Sequence, residues 1–146
     1  MTYPLLLIIH LFAAVLFVGT VAFEVLFLEP VQKRLPAEVR KALGRQLGPR
    51  VRAVLPWAVL ALYLAGLGLA WQYRAALAHP ASSSFAALLA LKIVLAVSVL
   101  AHVVTALTLS HRNRLGNALR ERLHVSVLCH MAAILVLAKG MFYFSW

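Results

Sequence analysis

Cysteine and acidic residues are scarce in this chain. Its 146 residues include a single cysteine, Cys129, which excludes an internal disulfide. Only four residues are acidic, so paired-carboxylate catalysis has little to work with, and no hydrolase or phosphate-loop motif is present. We also expect no cleavable signal peptide, because the first apolar run begins at once, lacks a basic leader and is too long for a signal core.

Apolar residues make up most of what is present. They account for 64% of the chain and give a mean hydropathy of +0.92, well above the value of a soluble domain. They fall into four blocks, each long enough to cross a bilayer as a helix. We therefore predict an all-α membrane protein with one domain over residues 1–146 and transmembrane helices at about residues 3–28, 51–73, 85–110 and 121–144.

The basic residues lie between the apolar blocks and carry a topology signal. The net charge is +10, and the first and third loops are basic whereas the second is nearly uncharged. The positive-inside rule puts the basic loops in the cytoplasm. We predict an up-and-down four-helix bundle in a prokaryotic-type inner (plasma) membrane, with both termini extracytoplasmic. The basic residues then contact lipid headgroups rather than nucleic acid. A four-helix unit this small can pair with a second copy through a lipid-facing side, so we expect a homodimer.

Prolines mark the expected helix ends. Glu29-Pro30 is predicted to close the first helix. A short amphipathic helix is predicted at residues 36–47 on the cytoplasmic side, with Val39, Leu43 and Leu47 in one apolar stripe. Gly48-Pro49 is predicted to end it before the second span begins.

Several ionisable residues lie inside the apolar blocks. Such a residue costs about 2.5–3.5 kcal/mol to insert, so it marks a candidate functional site. From the helical rise, His102 and His130 lie at one depth in the cytoplasmic half, and His10 and Lys92 lie in the outer half. Lys139 is half a helical revolution from His130 and is expected to reach along lipid to the interface. The other polar intramembrane residues are Glu24 and Tyr63.

Imidazoles inside a membrane bundle are typical of cofactor sites. Neutral imidazole ligates haem iron, and a lysine such as Lys92 can pair with a haem propionate. One hypothesis has His102 and His130 hold the iron, with His10 a ligand at a second, outer site near Lys92. Another hypothesis is that the three histidines only form hydrogen bonds to neighbouring helices. Cys129-His130-Met131 has donors that suit copper. Consecutive helical residues point about 100° apart, however, so the three side chains cannot converge on one ion unless the helix breaks.

Short motifs along the chain resemble a known family. Residues 10–14 and 17–19, HLFAA and FVG, resemble the first helix of the copper-resistance D (CopD) membrane family. Residues 50–52 and 66–68 resemble its second helix, and residues 91–93 and 111–114 its third. His10 and Lys92 are also similar to essential positions of the related HemJ-type protoporphyrinogen oxidases. The resemblance implies four membrane helices. The HemJ-type similarity implies haem b with His10 as the single iron ligand and Lys92 as a second essential residue, and the CopD similarity implies copper uptake.

Four functions remain open on these observations. The first is a haem-b protein that passes electrons within the membrane, to or from a quinone or another redox partner. The second is a haem-dependent oxidoreductase similar to protoporphyrinogen oxidase. The third is a copper transport or copper-resistance protein. The fourth is a structural subunit whose histidines only pack.

Overall fold

The computed structural model describes residues 2–112 and 114–143, with the side chain of Asn117 excepted. Within these residues the chain is helical and contains no strand. Asn113, which belongs to the third-helix motif, and residue 144, the expected end of the fourth helix, lie outside the described residues. The described part divides into two compact units, Met1–Gln72 and Tyr73–Trp146.

Four helices among the described residues are long and apolar enough to cross a membrane, which confirms the predicted all-helical class and the four spanning-length helices. The chain is therefore a multi-pass membrane protein. Large apolar side chains are exposed on these helices, for example Phe12 at 74% and Val136 at 68%. Such exposure suits lipid, which is as apolar as the side chains themselves.

The first unit pairs two long helices. It consists of α1 (Thr2–Phe23), a π-helical turn (Glu24–Leu28), α2 (Glu29–Arg34) and α3 (Ala37–Gln72). Leu6 lies against Gly68, and His10, one turn further along α1, lies against Gly66, so α1 and α3 are antiparallel. Small residues at this contact let the two backbones approach closely.

The first helix does not end at Glu29-Pro30, so that prediction is wrong. The chain passes through the π turn and continues in α2 to Arg34. The Glu29 N–H bonds to the Glu24 carbonyl, five residues back. This wider turn places Pro30 in the first turn of α2, where its missing N–H costs little and its ring has room.

The separate amphipathic helix is also a wrong prediction. Residues 37–72 form one continuous helix that runs through Pro49 and Pro56. Each proline removes one backbone hydrogen bond of the helix. The carbonyls that lose their partner belong to Arg45 and Arg52, which are exposed, so water or lipid headgroups can bond to them instead. Helix-forming alanine, leucine and arginine around Gly48-Pro49 keep the helix intact.

The second unit is another antiparallel helix pair. It consists of α4 (Arg74–Ala78), α5 (Ser84–His111) and α6 (Asn117–Gly140). The Ser83 side chain accepts a hydrogen bond from the Ala86 N–H at 3.2 Å and caps α5. The Phe85 ring, at the start of α5, lies 5.9 Å from the Phe142 ring, just after α6, and the two ring planes are tilted by 58°. The fourth helix begins at residue 117 rather than 121, because Gly116 in an extended conformation starts it one turn earlier.

Candidate functional site

His10 is fixed in place inside the first unit. Its Nδ1 lies 3.0 Å from the backbone carbonyl oxygen of Leu62 on α3. A carbonyl can only accept, so Nδ1 carries the hydrogen and donates it. In the neutral ring, Nε2 is then the nitrogen with the lone pair. This is the arrangement found in metal-ligating histidines, whose second nitrogen donates to a carbonyl.

A glycine makes room for this imidazole. A Cβ built at Gly66 would lie 3.2 Å from His10 Cε1 and 3.3 Å from His10 Nδ1, tighter than ordinary van der Waals contact. Two residues further along α3, a Cβ at Gly68 would lie 2.9 Å from Leu6 Cδ1. The His10 ring therefore packs directly against the backbone at Gly66. Gly68 allows the same two helices to approach closely.

His102 and His130 are anchored within their own helices. Nδ1 of His102 donates to the Ser98 carbonyl at 2.7 Å, and Nδ1 of His130 donates to the Ser126 carbonyl at 2.7 Å. Each carbonyl lies one turn back along the same helix. Both rings are therefore held in the tautomer that leaves the lone pair on Nε2.

Each of these imidazoles also bonds to the opposite helix. The Ser126 hydroxyl donates to Nε2 of His102 at 3.1 Å, and the Ser98 hydroxyl donates to Nε2 of His130 at 3.2 Å. The two ring centroids are 5.3 Å apart, with their planes at 50°. We call Ser98, His102, Ser126 and His130 the Ser–His box. All four residues are half-buried, and the box has an approximate two-fold symmetry.

The symmetry of the box has a sequence signal. Residues 98–102 read SVLAH and residues 126–130 read SVLCH, so the same five-residue pattern occurs on both antiparallel helices. The valine that follows each serine is buried in both copies, Val99 at 2% exposure and Val127 at 5%. Neither Ser98 nor Ser126 is among the predicted site residues. A search for internal repeats at Ser-x-x-x-His spacing would have found both.

As they stand, the His102 and His130 rings are closer together than two imidazoles that bind opposite faces of one haem iron. Two imidazoles on opposite faces of one iron, each with its nitrogen about 2 Å from the metal, have ring centres about 6.3 Å apart. The observed centroid distance is 5.3 Å. A porphyrin would also have to enter between two helices that the serine hydroxyls join on both sides of the rings. The donor set at His10, an anchored imidazole with its lone pair on Nε2, does suit haem iron.

The remaining predicted residues lie in several places. Lys92 is half-buried on α5, and Lys139 is exposed near the end of α6. Tyr63 is half-buried on α3, and Glu24 is half-buried in the π turn. Lys92 belongs to the second unit and His10 to the first.

The copper-like triplet does not converge. Cys129 is exposed, whereas Met131 is 3% exposed. The two sulfur atoms therefore belong to side chains that face different surroundings on either side of His130, as helical geometry requires.

Comparison with known proteins finds no match to any family model, any curated protein or any solved structure.

Proposed function

We propose that this chain is a haem-b-binding membrane protein with a role in electron transfer, and that His10 supplies the iron ligand. The observation that supports this most directly is the His10–Leu62 hydrogen bond of 3.0 Å, which fixes an imidazole inside a span and leaves its lone pair on Nε2. Neutral imidazole with this kind of anchor is a common haem ligand.

The roles of the neighbouring residues follow from their contacts. The Leu62 carbonyl accepts a hydrogen bond from the His10 Nδ1–H, and this bond holds both the tautomer and the orientation of the ring. Gly66 has no side chain, so the His10 ring can lie close enough to α3 to form this bond. Bound haem supplies a reversible one-electron couple at its iron. Apolar helix surfaces exposed to lipid suit a membrane-dissolved electron carrier such as a quinone.

The membrane arrangement is part of the same proposal. The four spans cross the bilayer alternately as an up-and-down bundle in a prokaryotic-type inner membrane. Lys33, Arg34, Arg40, Lys41 and Arg45 then lie on the cytoplasmic side, and both termini lie outside. This orientation puts His10 in the outer half of the membrane.

The test is the absorption spectrum of the protein, purified in detergent from cells supplied with a haem precursor. We expect a Soret band and about one haem b per chain by the pyridine haemochrome assay. His10→Ala should remove most of the haem. His79→Ala, which changes an exposed histidine outside the spans, should keep it.

Two results would contradict the proposal. One is wild-type protein that binds no haem, either in cells or after addition of hemin. The other is a His10→Ala variant with full haem content and an unchanged spectrum. If only His102→Ala or His130→Ala loses haem, the iron ligand is in the Ser–His box and is not His10.

A further inference from the structure

We propose that the Ser–His box binds one divalent transition-metal ion of the Zn²⁺ type. The nitrogen ligands are the Nε2 atoms of His102 and His130. The hydroxyl oxygens of Ser98 and Ser126 complete a four-coordinate shell. The box shares no residue with the proposed haem site, because its four residues belong to the second compact unit and His10 to the first.

The imidazoles have the anchors of metal ligands. Each Nδ1–H donates to a backbone carbonyl at 2.7 Å, so each ring is oriented by its own helix. Histidines that bind metals nearly always donate their second nitrogen in this way. On binding, each ring keeps this bond and turns Nε2 from the opposite serine towards the shared ion.

The distance between the rings is compatible with tetrahedral coordination. With nitrogen about 2.05 Å from the metal, two imidazole centroids lie about 4.5 Å apart at a right angle, about 5.1 Å at the tetrahedral angle and about 6.3 Å when trans. The observed distance of 5.3 Å is closest to the tetrahedral value. Tetrahedral sites favour Zn²⁺, whereas square-planar sites of nitrogen and oxygen favour Cu²⁺ or Ni²⁺.

The serine oxygens are at the right spacing for the remaining positions. Adjacent ligands of a tetrahedral Zn²⁺ lie about 3.3 Å apart. The two cross-helix Nε2–Oγ distances are 3.1 and 3.2 Å. When an ion enters, each hydroxyl turns its hydrogen from Nε2 towards a carbonyl one turn back on its own helix, a bond that serine commonly makes. The oxygen lone pairs then face the ion.

The charge balance sets the expected strength. All four donors are neutral, so the box does not cancel the charge of the ion, and charge within a membrane is costly. We therefore expect binding that is weaker than at structural zinc sites with thiolate ligands, and readily reversible.

The experiment uses the full-length chain in detergent, purified with an affinity tag that contains no histidine. Co²⁺ is the probe, because its tetrahedral complexes absorb strongly in the visible region. We expect one Co²⁺ per chain with a tetrahedral spectrum, displaced by Zn²⁺. His102→Ala and His130→Ala should each lower the affinity about 100-fold or more, and the double variant Ser98→Ala/Ser126→Ala about 10-fold. His10→Ala and His79→Ala should leave binding unchanged.

The proposal is wrong if the wild-type protein gives no tetrahedral Co²⁺ spectrum, a result that does not depend on any variant folding. It is equally wrong if binding persists in both His102→Ala and His130→Ala. A sulfur-to-cobalt charge-transfer band that disappears in Cys129→Ser would assign the ion to the thiolate and overturn the box as the site. Because His10→Ala is expected to lose haem and keep Co²⁺, failure of the metal site and failure of the haem proposal give different results.

Discussion

At the scale of single residues, Gly66 is the position at which the smallest change should affect the proposed haem ligand. A methyl group there would meet the His10 ring at 3.2 Å. We expect Gly66→Ala to displace the imidazole, lengthen its bond to the Leu62 carbonyl and lower haem content several-fold. The measurement is haem per chain, together with the shape of the Soret band.

Two other glycines provide matched controls for this variant. Gly19→Ala adds a methyl group to α1 where nothing lies within 4 Å, so it should leave haem content unchanged. Gly68→Ala presses on Leu6, a flexible side chain of the same helix pair, at 2.9 Å. If Gly68→Ala loses as much haem as Gly66→Ala, helix spacing rather than the His10 ring is responsible.

The histidines could be selected from the sequence, but their partners could not. His10, His102 and His130 are distinctive because each is ionisable inside an apolar block. The bond from His10 to Leu62 ends on a backbone carbonyl, and every residue of α3 has one. Which carbonyl it reaches depends on the register of two helices, and short apolar motifs do not determine that register.

At the scale of helices, the apolar blocks predict the spans well and the prolines predict helix ends badly. The predicted third span, 85–110, matches the observed Ser84–His111 within one residue at each end. Pro30 and Pro49 both lie where the chain remains helical. A proline weakens a helix by about 3 kcal/mol, which is too little to stop one that long apolar stretches and good helix formers support.

The continuity of α3 can be measured with two spin labels. In a Cys129→Ser background, labels at Glu38→Cys and Trp57→Cys are 19 residues apart in a 36-residue helix. A continuous helix puts their backbones about 28 Å apart, whereas a right-angled break at Pro49 gives about 20 Å. We expect the longer distance by double electron–electron resonance. Adding Pro49→Ala should not change it, and a shift from the shorter to the longer distance in that variant would show that the proline breaks the helix.

At the scale of the whole molecule, charge determines the expected orientation. The lysines and arginines concentrate in the segments before and within the first half of α3 and around the start of α6, whereas the link before α5 has few charges. In cysteine-free protein, we expect Ser82→Cys to react with an impermeant maleimide in intact cells. Gly44→Cys, also exposed, should react only after the membrane is permeabilised. The opposite pattern would reverse the topology.

The continuous helix α3 is longer than the membrane is thick, so its basic end and its membrane-spanning end move together. Its 36 residues measure about 54 Å, whereas the hydrocarbon core of a bilayer is about 30 Å thick. A tilt of 10° moves one end of such a rod about 9 Å relative to the other. Arg40 lies about 33 Å along this rod from Leu62, the residue whose carbonyl holds His10. A force that acts on the basic end is therefore transmitted through one stiff helix to the carbonyl that orients the imidazole.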